Sequence, residues 1–124
     1  LVWKAFDDMA GGEIYVKKIP SMSILDIAKA VAPNANHKII GVRPGEKIHE
    51  QMIGLEDAPY TFEYEEFYKI LPAIYGWASD PERIGEGAKV ALDFVYSSDT
   101  NEDWMSIKKL IDWIEANRDK IGVI

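Results

Sequence analysis

Apolar side chains open the chain at helical spacing. Leu1, Ala5 and Met9 recur four residues apart, joined by Val2 and Phe6, and predict the end of a helix. Gly11-Gly12 predicts its stop, because glycine takes the left-handed conformation cheaply. Residues 13–16 then read as a short strand carrying Ile14, Tyr15 and Val16, broken by Pro20. Ser23 is an N-cap residue, with Asp26 three positions on, beside the positive end of the helix it starts. Ile24, Ile27, Ala28 and Val31 fall on one face of that helix, and Pro33 ends it.

The second half alternates more tightly. Residues 38–42 (KIIGV) read as a short buried strand. Arg43-Pro44-Gly45 follows: proline holds Arg43 extended, and Pro-Gly favours a type II turn. Over residues 47–52, Ile48 and Glu50 fall on one side and Lys47 and His49 on the other. Residues 60–64 and 67–71 are rich in strand formers and flank Glu65-Glu66, which predicts a hairpin across an unusual turn pair. Residues 72–91 hold Gly76, Pro81, Gly85 and Gly87 and read as a long loop. Residues 93–98 form a further candidate strand. Ser106 caps a last helix with Ile107, Leu110, Ile111 and Ile114 on one face. Short strands mixed with about three helices give an α/β or α+β fold class, a small mixed domain over residues 1–124.

Composition narrows the function classes. Fourteen aromatic side chains and 48% hydrophobic residues argue for a packed core and against disorder. A net charge of −7 argues against a nucleic-acid surface, which needs clustered Lys and Arg. Locally basic spots remain at Lys17-Lys18 and over residues 43–47, enough for one small phosphorylated ligand. The absence of cysteine removes disulfides, thiolate metal sites and a thiol nucleophile, and it fits a reducing compartment such as the cytoplasm. No apolar run is long enough to span a membrane, and no signal peptide is visible. The chain opens on Leu1, directly in a helical pattern, so a cut from a longer polypeptide is expected.

Several catalytic signatures are missing. No glycine spacing gives G-x-G-x-x-G, and no tyrosine is followed by Lys at the fourth position on a helix face. His49-Glu50 does not continue as a zinc-binding H-E-x-x-H helix, so no metal is expected. Asp7-Asp8 and Glu65-Glu66 read as solvated faces or turns. The densest polar group is Arg43-Pro44-Gly45-Glu46-Lys47-Ile48-His49-Glu50. The planar fork of Arg43 suits a diphosphate, Lys47 adds a point charge, and Glu46, His49 and Glu50 can hold hydroxyls or brace Arg43. The plain alternative is a surface turn with a local Arg–Glu pair. Two further candidates are Lys17, Lys18 and the corner at residues 19–22, and the polar run at residues 96–101 with Trp104 nearby.

Three strings, GGEIYVKKIPSM (11–22), KIIGVRPGEKIHEQM (38–52) and YSSDTNEDW (96–104), resemble the inverting UDP-N-acetylglucosamine 4,6-dehydratases. These enzymes of capsule and O-antigen polysaccharide biosynthesis belong to the extended short-chain dehydrogenase/reductase (SDR) superfamily. The resemblance covers nearly the whole chain and implies that it is the C-terminal, UDP-sugar-binding part of such a lyase. The N-terminal Rossmann domain, with its NADP or NAD and its acid–base residues, is absent from this chain. By this resemblance Arg43 grips the diphosphate, Lys47, His49, Glu50 and Glu46 shape or brace the site, and Asn101 and Trp104 are pocket or clasp residues. The chain alone, without cofactor, is then expected to be inactive. Its partners are the UDP-sugar and the Rossmann domain of the same parent chain. Apolar surface freed from that domain favours a homo-oligomer. Two alternatives stay open: a stand-alone nucleotide-sugar-binding or regulatory module, and part of a UDP-sugar epimerase.

Overall fold

The computed structural model describes residues 1–121. Its elements run α1 (Val2–Asp8), β1 (Ile14–Lys17), α2 (Ile24–Val31), β2 (Gln51–Ile53), β3 (Thr61–Glu63), β4 (Phe67–Ile70), α3 (Pro81–Ile84), β5 (Ala88–Lys89), β6 (Tyr96–Ser97), α4 (Ile107–Ala116) and α5 (Arg118–Ile121). Short 3₁₀ turns cover Ala58–Tyr60 and Trp77–Ser79. The mixed helix-and-strand class is as expected, with three helices of seven residues or more and two of four. The chain forms two compact units: residues 1–19 with 50–100, and residues 20–49 with the chain from Asn101 on.

The first unit holds an antiparallel sheet in the order β1-β4-β3-β5, and β2 pairs with β6 in a separate ladder. The predicted hairpin is β3–β4, closed by the Tyr64 N–H donating to the Phe67 carbonyl over 2.9 Å, with Glu65-Glu66 at the tip. Neither glutamate has positive φ, so the turn avoids the conformation that favours Asn-Gly. All four β4 residues are buried, because β4 lies inside the sheet and both its faces are covered. On one face Tyr68 and Ile70 join Val16, Ile53 and Tyr96 in the apolar core. The Tyr68 ring lies 5.1 Å from both Phe94 and Tyr96, in tilted pairings. The other face carries Phe67 and Lys69 beneath α1.

That helix lies on the sheet with its polar side inward. Lys4 sits over the Phe67 ring at 5.3 Å, and Asp8 bonds Lys69 at 2.8 Å. Val2, Trp3 and Phe6 face outward, with Trp3 82% and Phe6 74% exposed. Gly11 and Gly12, both at positive φ, carry the chain from α1 into β1. A Cβ on Gly12 would meet Pro72 Cγ at 2.9 Å, so the position has both a backbone and a steric reason for glycine.

In the second unit, α2 and α4 pack on each other. Both predicted serine caps are present: Ser23 Oγ accepts from Asp26 N at 3.1 Å, and Ser106 Oγ from Lys109 N at 3.2 Å. Ile107, Leu110 and Ile114 are half-buried on one α4 face. No described residue of this unit is fully buried; the core lies in the first unit.

Two expectations need correction. Residues 38–42 form no strand and pair with none among the described residues, and Ile39, Ile40 and Val42 are exposed. An apolar β-prone run becomes a strand only when a ladder partner is present, and Gly41, at φ +81°, breaks the extended geometry. Residues 72–91 are not a structureless loop. They hold a 3₁₀ turn, α3 and β5, started by Tyr75 and Gly76 at positive φ and by Asp80 capping α3 ahead of Pro81.

Ile53 is fully buried in the core of the first unit. Ile53→Ala is expected to lower unfolding stability by about 2–5 kcal/mol, read by urea denaturation. A loss below about 1 kcal/mol would show that the core is not packed around this side chain.

Candidate functional site

The Arg43-Pro44-Gly45-Glu46 stretch adopts the turn its sequence predicts. Glu46 N–H donates to the Arg43 carbonyl at 3.0 Å, proline occupies the second position, and Gly45 has φ +86° at the third. Arg43 N–H donates to Glu46 Oε2 at 2.9 Å, and Arg43 Nε lies 3.7 Å from Glu46 Oε1. Glu46 therefore ties the turn from both ends. The Arg43 side chain is nevertheless 72% exposed, so its fork stands open to a ligand. Residues 43–50 are all exposed, and Lys47 makes no ion pair among the described residues. Glu50, in the first unit, is held by its backbone: its N–H donates to Ser98 Oγ at 3.1 Å and its carbonyl accepts from Ser98 N at 2.8 Å.

Asn101 and Trp104 are brought together around Ser21. Asn101 Nδ2 donates to Ser21 Oγ at 3.0 Å, and Asn101 Oδ1 accepts from Asp103 N at 3.1 Å. Trp104 Nε1 donates to the Asn101 carbonyl at 2.8 Å. Ser21 and Trp104 form a parallel bridge, with Ser21 N donating to Asp103 O and Met105 N to Ser21 O. The Trp104 ring is half exposed. This clasp joins the segment before α2 to the segment before α4. Of the lysines singled out with the 19–22 corner, Lys18 pairs with Glu63 at 2.7 Å over the Tyr68 ring, while Lys17 is exposed.

Sequence reasoning missed two charged groups in the first unit. Lys69 keeps a side chain only 3% exposed and is sandwiched near the Tyr15 and Tyr64 rings, with Nζ 2.8 Å from Asp8 Oδ2. Tyr15 Oη also donates to that carboxylate oxygen, at 2.6 Å. Burial would raise the Asp8 pKa, but the bonds from Lys69 and Tyr15 outweigh it and hold the carboxyl below its ordinary value. Burial would lower Lys69, but Asp8 and Tyr64 outweigh it and hold the ammonium above its ordinary value. Burial, reinforced by donation to Asp8, drives the Tyr15 hydroxyl far above the usual phenol range. Lys in a strand normally points to solvent, so no sequence signal marked Lys69 as buried. The second group is Glu13, buried in the Gly-Gly-Glu turn, accepting from Gly11 N at 2.7 Å and paired with Arg83. Arg83 also donates to Gly11 O at 3.2 Å and lies 3.9 Å over the Trp77 ring.

A groove of about 360 Å³ in the first unit lies among Lys4, Lys17, Tyr64, Glu65, Glu66 and Glu86. It mixes both charge signs and presents no convergent catalytic pair. No cluster among the described residues could hold a metal ion. Among the described residues, the loosely glycine-rich stretch at 85–87 is not shaped for a dinucleotide phosphate. A Cβ on Gly87 would meet Tyr64 Oη at 2.6 Å, so that ring already fills the space.

The same fold occurs in Pen from Bacillus thuringiensis, whose X-ray structure superposes with a TM-score of 0.67 at 25% identity, over 94% of this chain and 33% of that one. The polysaccharide biosynthesis protein family matches residues 1–72, more than half of the chain. The chain belongs to that family. A UDP-N-acetylglucosamine 4,6-dehydratase (inverting) of Campylobacter jejuni serotype O:2 is 49% identical over 114 residues, which is 88% of this chain and 34% of the relative. Its counterpart in serotype O:23/36 is 48% identical over the same span. A UDP-glucose 4-epimerase of Rickettsia canadensis is 35% identical over 74 residues, 56% of this chain and 22% of the relative. The chain thus spans about a third of the length of the dehydratases it matches. No helix among the described residues is long and apolar enough to cross a membrane.

The Asp8–Lys69 contact makes stability pH-dependent at both ends. The depressed carboxyl contributes above its ordinary value of 3.8, and that contribution is lost as pH falls through the lower folded value. The raised ammonium contributes below 10.5 and is lost as pH rises through the higher folded value. Asp8→Ala is expected to flatten both limbs of the stability profile and to destabilise more than Lys69→Met, because it leaves a buried cation unpaired. Denaturation midpoints from pH 3 to pH 11 read this, and a larger loss in Lys69→Met would contradict it.

Proposed function

We propose that this chain is the UDP-sugar-binding portion, the C-terminal third, of a nucleotide-sugar 4,6-dehydratase in polysaccharide biosynthesis. The 49% identity to the Campylobacter enzyme across 88% of the chain carries this reading. In it, the type II turn at 43–46 aims Arg43 at the diphosphate of the nucleotide. A guanidinium fork meets two phosphate oxygens at once, and charge-assisted bonds of this kind are the strong ones. Glu46 fixes the turn through the Arg43 backbone and lies near its Nε, which leaves the terminal guanidinium nitrogens for the ligand. Lys47 adds positive charge on the same loop, and His49 and Glu50 follow it toward the sugar or ribose hydroxyls. Asn101 and Trp104 act through the Ser21 clasp, which ties the segments before α2 and α4 together.

The nicotinamide cofactor, NADP or NAD, belongs to the rest of the polypeptide. It supplies the hydride chemistry, and this chain's residues bind and orient the nucleotide. The reading places the enzyme in the cytoplasm. The identity to the Rickettsia epimerase favours a second reading, a UDP-sugar 4-epimerase, in which the same residues hold the same nucleotide.

Titration of the chain with UDP and UDP-N-acetylglucosamine, followed by two-dimensional NMR, tests the site. Shifts are expected over residues 43–50. Arg43→Ala is expected to weaken UDP binding roughly tenfold or more, corresponding to about 1.4 kcal/mol or more. Equal binding by the wild-type and Arg43→Ala chains would remove Arg43 from the site.

A further inference from the structure

The polar contacts beneath α1 settle which of its faces touches the sheet, and they leave the apolar one uncovered. Lys4 and Asp8 occupy the inward side, one over Phe67 and the other on buried Lys69. Val2 and Phe6 fall one turn apart on the outward side, flanked by Trp3, and Met9 follows just past the helix end. All four are exposed, and the Trp3 and Phe6 rings lie 6.3 Å apart. Two such aromatic side chains alone present roughly 300 Å² of apolar area, the scale at which a patch marks an interaction surface. Rolling α1 to bury this stripe would strand the Lys69 ammonium without its carboxylate, so the helix cannot cover the stripe itself.

We propose that the outward face of α1, centred on Val2, Trp3 and Phe6, is the docking face for the remaining two-thirds of the dehydratase polypeptide. The inference rests on the reading above and names the contact surface within it. The relatives' length supports this occupant: chains that match at 49% identity are about three times as long, so most of each lies outside the matched span. The second unit shows the same deficit independently, with Ile39, Ile40 and Val42 exposed on an extended segment that pairs with no described strand. A second copy is the poorer occupant, because each chain carries a net charge of −7 and like copies repel.

Hydrogen exchange of the α1 amides tests the proposal in two proteins. One is this chain alone. The other is the Campylobacter dehydratase carrying this chain in place of its matching 114 residues. Exchange of residues 2–8 is expected to slow at least ~10-fold in the long protein. Trp3→Asp with Phe6→Asp is expected to abolish that protection there, while leaving the circular dichroism of the short chain unchanged, since both side chains are exposed in it. Equal α1 exchange in the two proteins would overturn the proposal. So would a concentration-dependent dimer of the short chain that protects α1 to the same degree, which would make a second copy the occupant. The readout is independent of nucleotide, so a failed UDP titration and a failed docking face remain distinguishable.

Discussion

One buried ammonium organises the first unit. Lys69 lies on an inner strand of its sheet, and burying it demands an anionic partner on the same face. Asp8 at the end of α1 meets that demand, and Tyr15 from the neighbouring strand completes the set. The helix is thereby fixed with its charged side down. The consequence reaches past the pair itself: an amphipathic helix that would ordinarily bury its aromatic residues turns them outward. The opposite face of β4 carries the ordinary apolar core, so a single strand joins a polar layer to an apolar one.

The second unit is built differently. It has no fully buried residue among those described, and its shape comes from caps, a stiff turn and the Ser21 clasp. Binding loops are commonly of this kind: exposed side chains, with the precision supplied by backbone constraint. Proline and glycine restrict the turn at 43–46 to few backbone conformations, so the direction in which Arg43 leaves the loop is set locally.

The sequence made local chemistry legible and long-range partnership illegible. Ser23 and Ser106 were readable as caps, and Pro44-Gly45 as a type II turn, because each depends on a few adjacent residues. The β3–β4 hairpin was readable from two β-rich runs even though Glu-Glu is a poor turn pair. The run at 38–42 misled, because its apolar pattern says what the segment can bury and not whether a partner strand is present. The burial of Lys69 and the Glu13–Arg83 pair were invisible, since each joins residues far apart in sequence, by 61 and 70 positions. In the candidate site, the pairing of Arg43 with Glu46 was anticipated, whereas the role of Ser21 as the centre of the Asn101–Trp104 clasp was not.

We propose that this chain supplies the nucleotide-sugar-binding third of a 4,6-dehydratase. The decisive measurement is turnover of UDP-N-acetylglucosamine by the Campylobacter dehydratase carrying this chain in place of its own matching residues. A 4-keto-6-deoxy sugar nucleotide is the expected product. A folded hybrid that binds its nicotinamide cofactor yet yields only a C4 epimer, or no product at all, would contradict it.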